Sequence, residues 1–444
     1  MIRSRSSEVA TMRTNRKTLV EERYNGIQRR QMIFMQMVKD RASKMKASLA
    51  PFISNDLMFK IFLLLPIKTL LRFSCVCKSW KNMINCAEFV EAYNNEAQTT
   101  AILLRRIEPH RLNTFHVESQ VNLSESYSIF PCTPSEMSNS KVINFLDIED
   151  GKSKVIDLNI SCFGSIVASC NGLILISSMF ERTNMFRRPK FFDSHERLGR
   201  LIIMNPMTRK FIKFPLGTIP SEISYSESYG LMFSQSKGVY KAVHLFMDEL
   251  GHIACELWSL ETRHWKSIDG PSKNLIRHFS RAPPIWASGS LHWLFTGYQY
   301  HTGYIISLGA EDERFSVIDL PKSIGLHDKI VEMGGFLTFV SSLDVNHLEV
   351  WVLKGLEGVE WVKQHTINID AVVGSVENEE YSRPVLAVNA KEMIFRRGLQ
   401  LYSYDFELEE VREIEMEGGG IHARESLLPH TNNLATWERL EPML

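Results

Sequence analysis

Residues 201–214 read LIIMNPMTRKFIKF. Aliphatic residues flank a cluster of turn formers, Asn205, Pro206 and Thr208, so the string is a strand, a turn and a second strand opened by Phe211. The same unit returns as LWSLETRHWKSI (257–268), YIISLGAEDERFSVI (304–318), LEVWVLKGLEGVEWV (348–362) and LYSYDFELEEVREI (401–414), with second strands opened by Trp265, Phe315, Trp361 and Val411. An earlier copy, VINFLDIEDGKSKVIDL (142–158), leads to Val155, and successive separations are 56, 54, 50, 46 and 50 residues.

A second kind of hairpin alternates with the first, with a small-residue turn ahead of an apolar strand. It appears as ASCNGLILI around Gly172, QSKGVYKAV around Gly238, ASGSLHWLF around Gly289, EMGGFLTFV around Gly335 and VNAKEMIF around Lys391. Two hairpins per period make four strands. A ring of four-stranded units of about fifty residues, each packing its faces on its neighbours, is a kelch-like β-propeller. The period predicts six blades, or seven. The strand Ala101 to Ile107 and the run Glu425 to Leu428 are expected to share one blade and close the ring. Trp258, Trp265, Trp286, Trp293, Trp351 and Trp361 fall where aromatics fill the space between sheets, which favours core over a ligand-stacking platform.

Upstream the period becomes helical. Residues 52–91, FISNDLMFKIFLLLPIKTLLRFSCVCKSWKNMINCAEFVE, predict three short amphipathic helices. The first starts at Ser54 as N-cap, with Asp56 near the positive end of the dipole and Leu57, Ile61, Leu64 and Leu65 as its stripe, and stops at Pro66. The second spans Ile67 to about Phe73 and the third about Val76 to Ile84, with Lys68, Arg72, Lys78 and Lys81 as a basic rim. A segment this small cannot bury enough surface to offset its ordering entropy, so its apolar faces need a partner.

In Leu65-Pro66, Leu70-Leu71-Arg72-Phe73 and Val76-Cys77-Lys78-Ser79-Trp80 this stretch resembles an F-box. The resemblance implies docking on the Skp-type adaptor of a Skp–cullin–F-box ubiquitin ligase. The residues implied are Ile53, Leu57, Ile61, Leu65, Pro66, Leu70, Leu71, Val76, Cys77 and Trp80, at the interface or in the motif's own small core. Ser54, Lys60 and Leu64 stand where the family usually has proline, glutamate and arginine, which lowers the expected affinity. Downstream, Ser169-Cys170-Asn171-Gly172-Leu173, Asn205-Pro206-Met207-Thr208-Arg209 and, more loosely, Tyr240-Lys241-Ala242-Val243 resemble signatures of the F-box-associated domain of plant F-box and kelch-repeat proteins.

The expected organisation is a basic extension, disordered or partly helical, over 1–47, an F-box over 48–95, a propeller over 100–430 and a tail over 431–444. The fold class is mainly β with a small α domain. The 51 basic and 51 acidic residues cancel, so no global field favours nucleic acid or membrane. The first residues lack the apolar run of a signal peptide, and seven cysteines without paired zinc spacing read as reduced thiols, which predicts an intracellular protein of nucleus or cytoplasm. No nucleophile elbow, phosphate-cradling glycine loop or metal-spaced histidine pair is found, so no catalytic residue, cofactor or metal is expected.

The resemblance implies a substrate-recognition subunit that works by proximity. The helices would tether the chain through the adaptor to the cullin and RING subunits, while the propeller holds a target protein. Two other classes remain open, a non-ligase scaffold with a weakened F-box and a propeller lectin or carbohydrate-active enzyme.

Overall fold

The computed structural model describes residues 54–95, 99–106, 127–128, 140–149, 152–163, 165–177, 200–218, 227–271, 283–296, 303–325, 328–342, 347–355, 360–368, 386–387, 392–397, 400–416 and 426–437. The basic extension, Ile53, the Arg- and Phe-rich stretch 180–198 and the glycine run Gly418 to Gly420 lie outside these residues. The chain forms two compact units, Met1–Phe62 and Leu63–Leu444.

Among the described residues, four helices are present where three were expected: α1 (Asn55–Leu63), α2 (Ile67–Phe73), α3 (Lys78–Ile84) and α4 (Ala87–Asn95). The count is corrected by α4, whose weak apolar content hid it. Its signals are Glu88 in the first turn and an apolar ridge of Phe89, Val90 and Tyr93 at helical spacing. Phe89 and Tyr93 stack with ring centroids 6.0 Å apart.

Strands β1 (Thr99–Arg106), β2 (Tyr127–Ser128), β3 (Ser140–Glu149) and β4 (Lys152–Phe163) begin a sheet that the end of the chain completes. Four antiparallel four-stranded sheets follow. The first holds β5 (Ser165–Cys170), β6 (Leu173–Ser177), β7 (Arg200–Met204) and β8 (Phe211–Pro215), and the second β9 (Glu227–Ser234), β10 (Val239–Met247), β11 (Ile253–Ser259) and β12 (Trp265–Ile268). The third holds β13 (Ile285–Ala287), β14 (Ser290–Thr296), β15 (Gly303–Gly309) and β16 (Phe315–Asp319), and the fourth β17 (Lys329–Met333), β18 (Phe336–Ser342), β19 (His347–Leu353) and β20 (Trp361–Asn368). The last strands are β21 (Leu386–Ala387), β22 (Glu392–Arg397), β23 (Gln400–Asp405), β24 (Glu410–Met416) and β25 (Ser426–Thr431). They join the opening strands in a nine-stranded sheet of order β21-β22-β23-β24-β4-β3-β1-β25, with β2 on β4.

The propeller therefore has five blades, and the expectation of six or seven is corrected. Glu415 and Met416 of β24 pair in parallel with Lys152 and Ser153 of β4, which fuses into one sheet what the fifty-residue period counts as two units. The leading strands β5, β9, β13, β17, β21 and β25 touch in succession around a ring, and the nine-stranded sheet supplies two of them. The expected closure is observed: β1 pairs with β25 from Thr99 opposite Thr431 to Leu104 opposite Ser426.

In the four-stranded blades the inner strands are buried while the fourth strand runs along the solvent. Strand β6 is buried throughout, whereas β12 and β16 are largely exposed. The core lies between sheets. One cluster joins Leu231, Tyr240 and Trp258 of the second blade to Leu175, Ile203 and Phe214 of the first, and others join the second to the third and the third to the fourth. Trp258 and Trp293 are buried, and Trp265, Trp286, Trp351 and Trp361 pack half-buried against these clusters, as the core reading expects.

Candidate functional site

Helix α1 opens on Ser54, whose carbonyl accepts the Met58 N–H at 3.0 Å and whose Oγ accepts the Leu57 N–H at 3.3 Å. The hydroxyl occupies the capping position that the sequence assigns to it, and Asp56 sits in the first turn. Phe62, a residue the stripe omitted, is fully buried. Leu57 remains 51% exposed, Ile61 is half-buried and Lys60 faces solvent.

In the unit that begins at Leu63, Leu64 is 81% exposed and Leu65 half-buried. Pro66 presets the entry to α2 with φ −58°, and its carbonyl accepts the N–H groups of Thr69 and Leu70 at 2.8 and 3.1 Å. Leu70 is fully buried with Ile67, while Leu71 is half-buried and Arg72 exposed. The Tyr93 hydroxyl of α4 donates to the Leu65 carbonyl at 3.1 Å, which pins the corner before α2.

Val76 is 62% exposed and Cys77 exposed. Cys77 enters α3 from extended backbone, φ −155° and ψ 162°, and its carbonyl accepts the Lys81 N–H at 3.0 Å. Trp80 is half-buried, its ring 5.4 Å from that of Phe73. Met83 and Ile84 of α3, Cys86 of the connection, and Phe89 and Val90 of α4 are buried, and burial raises the Cys86 thiol pKa. Lys68, Arg72, Lys78 and Lys81 are all exposed.

Of the ten residues named from the sequence, only Leu70 is fully buried. Ile53 lies outside the described residues, and the other eight reach solvent wholly or in part. A motif that were only its own core would bury all its leucines; here Leu70 is buried, while Leu57 and Leu64 are exposed and Leu65 and Leu71 reach solvent in part. Sequence reasoning missed several residues that are buried here, Phe62 in the first unit and Met83, Phe89 and Val90 in the second, because the leucine run dominates the pattern. Among the described residues no cluster of His, Cys, Asp or Glu is arranged to hold a metal ion, and no helix is long and apolar enough to cross a membrane.

Comparison with known proteins agrees with both halves of the chain. The family model described as the F-box domain matches residues 53–90, and that of the F-box associated beta propeller domain matches residues 121–437. The chain is similar to F-box protein At5g49610 of Arabidopsis thaliana, 23% identical over 79% of this chain and 90% of that protein. It is likewise similar to F-box/kelch-repeat protein At3g23880 (23% identical, 78% and 86% covered) and F-box protein At1g30790 (24% identical, 84% and 92% covered), both of the same plant. With the ring of sheets and the helical motif ahead of it, the chain belongs to the F-box-associated β-propeller family of F-box proteins.

Proposed function

We propose that this protein is the substrate-recognition subunit of a Skp–cullin–F-box ubiquitin ligase, docking through its helices and holding a target protein on its propeller. The observation that carries the reading is the exposure of Leu57, Pro66, Val76 and Cys77 at ordered positions of the F-box pattern. Apolar groups held in water by a folded scaffold favour a partner surface. Ile53, Leu57, Ile61, Leu65, Pro66, Leu71, Val76, Cys77 and Trp80 would meet the adaptor, and Leu70 would support them from the core. Such a subunit makes and breaks no bonds; it raises the effective concentration of target beside the charged conjugating enzyme carried with the RING subunit. An intracellular site of action, in nucleus or cytoplasm, belongs to the same proposal.

The test is a titration of the purified chain against a Skp-type adaptor. Replacing Leu57, Ile61 and Leu65 together by alanine should weaken binding at least about 100-fold, since clustered apolar anchors carry most of an interface's energy. The propeller's thermal transition should stay in place. Undiminished binding by the triple variant would refute the interface. The scaffold reading is favoured by Ser54, Lys60 and the solvent-facing Leu64, and a wild-type chain that binds no adaptor would establish it instead.

A further inference from the structure

The three propeller signatures lie far apart in sequence, and the fold brings them to one place around the segment that follows β25. Asn205 uses both halves of its carboxamide. Its Oδ1 accepts the N–H groups of Met207 and Thr208 at 2.8 and 3.2 Å and shapes the local turn. Its Nδ2 donates to the backbone carbonyls of Asn433 and Ala435 at 3.1 and 2.8 Å. Gly172 stands under Asn433: φ is +81°, and a Cβ there would overlap the Asn433 carboxamide. The Tyr240 hydroxyl donates to the Asn171 carbonyl at 3.0 Å and braces that turn from the next blade. At the end of β25, His430 Nδ1 lies 3.0 Å from Ser169 Oγ.

The seated segment alternates its partners. Asn433 and Ala435 face the propeller, and the Asn433 Oδ1 accepts the Ala435 N–H at 3.0 Å. Between them, the Leu434 N–H donates to Asn94 Oδ1 of α4 at 3.0 Å. Ala435 is buried in the cluster that joins the first two blades, and Trp437 packs against the same cluster.

We infer that the signatures around Gly172, Asn205 and Tyr240 form a receptor for the chain's own segment 430–437, and that this seated segment is the joint that fixes α4 on the propeller. A turn needs only one end of an asparagine. The other end of Asn205, with a glycine that leaves room for a second asparagine, is what an extended peptide requires of a docking groove.

Hydrogen exchange on the full chain tests it, read in peptides covering 87–95 and 430–437. Gly172→Ala should raise exchange in both, by roughly tenfold where one hydrogen bond is lost. Gly238→Ala is the matched control: its φ is +65°, so the backbone strain is similar, but a Cβ there meets nothing. It should raise neither. Asn94→Ala should speed exchange in α4 and at Leu434 and leave the contacts of Asn205 intact.

The inference is overturned if Gly172→Ala behaves like Gly238→Ala, or if it frees 430–437 while α4 keeps its protection. Should Gly172→Ala not fold, Asn94→Ala decides alone, and unchanged exchange in α4 sinks the joint. Adaptor binding is not among the readouts, so the outcome is separable from the fate of the ligase proposal.

Discussion

Asn205 shows what single residues contribute. Fully buried, it satisfies two N–H groups of its own turn and two carbonyls more than two hundred residues away. Thr208, by contrast, is half-buried and offers its Oγ1 to one N–H, that of Lys210, at 3.4 Å. Asn205→Ala should therefore lower unfolding free energy by roughly 2–4 kcal/mol, because buried partners are left unpaired, and Thr208→Ala by about 1 kcal/mol or less. Urea unfolding midpoints compare the two directly, and equal losses would contradict the account. The turn half of Asn205 was legible, since Asn-Pro-x-Thr is local turn chemistry. The other half was not, because no sequence pattern states which distant carbonyls a side chain meets.

Histidines set the pH response at the same scale. Burial alone would lower the pKa of His244, but its hydrogen bonds to Glu227 at 3.3 Å and Glu256 at 2.8 Å outweigh burial and raise it. The stability that His244 adds is therefore complete below the unfolded value of about 6.5 and is lost as pH rises through the higher folded value. His292 is the opposite case. Burial, only partly countered by its bond to the Ala287 carbonyl, lowers it to about 4, so the unfolded chain takes up a proton first and stability falls as pH drops from 6.5 towards 4. In thermal unfolding across pH, His244→Gln should flatten the alkaline limb and His292→Gln the acid limb. Exchanged or absent effects would reject the assignment.

Elements were the most readable level. The hairpins led by Phe211, Trp265, Phe315 and Trp361 appear as β7–β8, β11–β12, β15–β16 and β19–β20 because each strand pair carries its own turn chemistry. What joins one blade to the next was hidden. The Trp265 Nε1–H donates to the Pro215 carbonyl at 3.2 Å, and the Trp361 Nε1–H to the Asp319 carbonyl at 2.8 Å, each reaching back to the preceding blade's last strand. Lys241 of β10 crosses similarly to the third blade, donating to Glu313 at 2.8 Å and to the Ala310 carbonyl at 3.2 Å. Lys241 is buried while Glu313 is partly exposed and has Lys266 as a second cation 3.8 Å away. Glu313→Ala, which strands a buried ammonium, should destabilise more than Lys241→Met, whose stem is apolar and whose partner keeps water and Lys266. Chemical denaturation of both variants checks the order, and a reversed ranking would refute it.

At the scale of the molecule, the repeat spacing identified a propeller and its terminal strand pair, but not the sheet count. Nothing in Glu415, Met416, Lys152 and Ser153 announces a parallel pair. Closure by β25 covers the hydrogen-bonding edge that β1 would otherwise leave open. A chain ending at residue 425 should lose its single cooperative thermal transition and associate through the uncovered edge of β1; a soluble monomer with the parental melting temperature would show that closure is dispensable.

The pairing of Thr99 with Thr431 also sets a clock during biosynthesis. At ribosomal rates of about 5–20 residues per second, the strand at one side of that seam waits on the order of tens of seconds for its mate to be translated. Throughout that interval the nascent chain offers an unsealed hydrogen-bonding ladder, while the helical motif ahead of it has long since emerged. The helical motif can thus fold before the strand that closes the ring exists, so the seam is the last part of the fold to form.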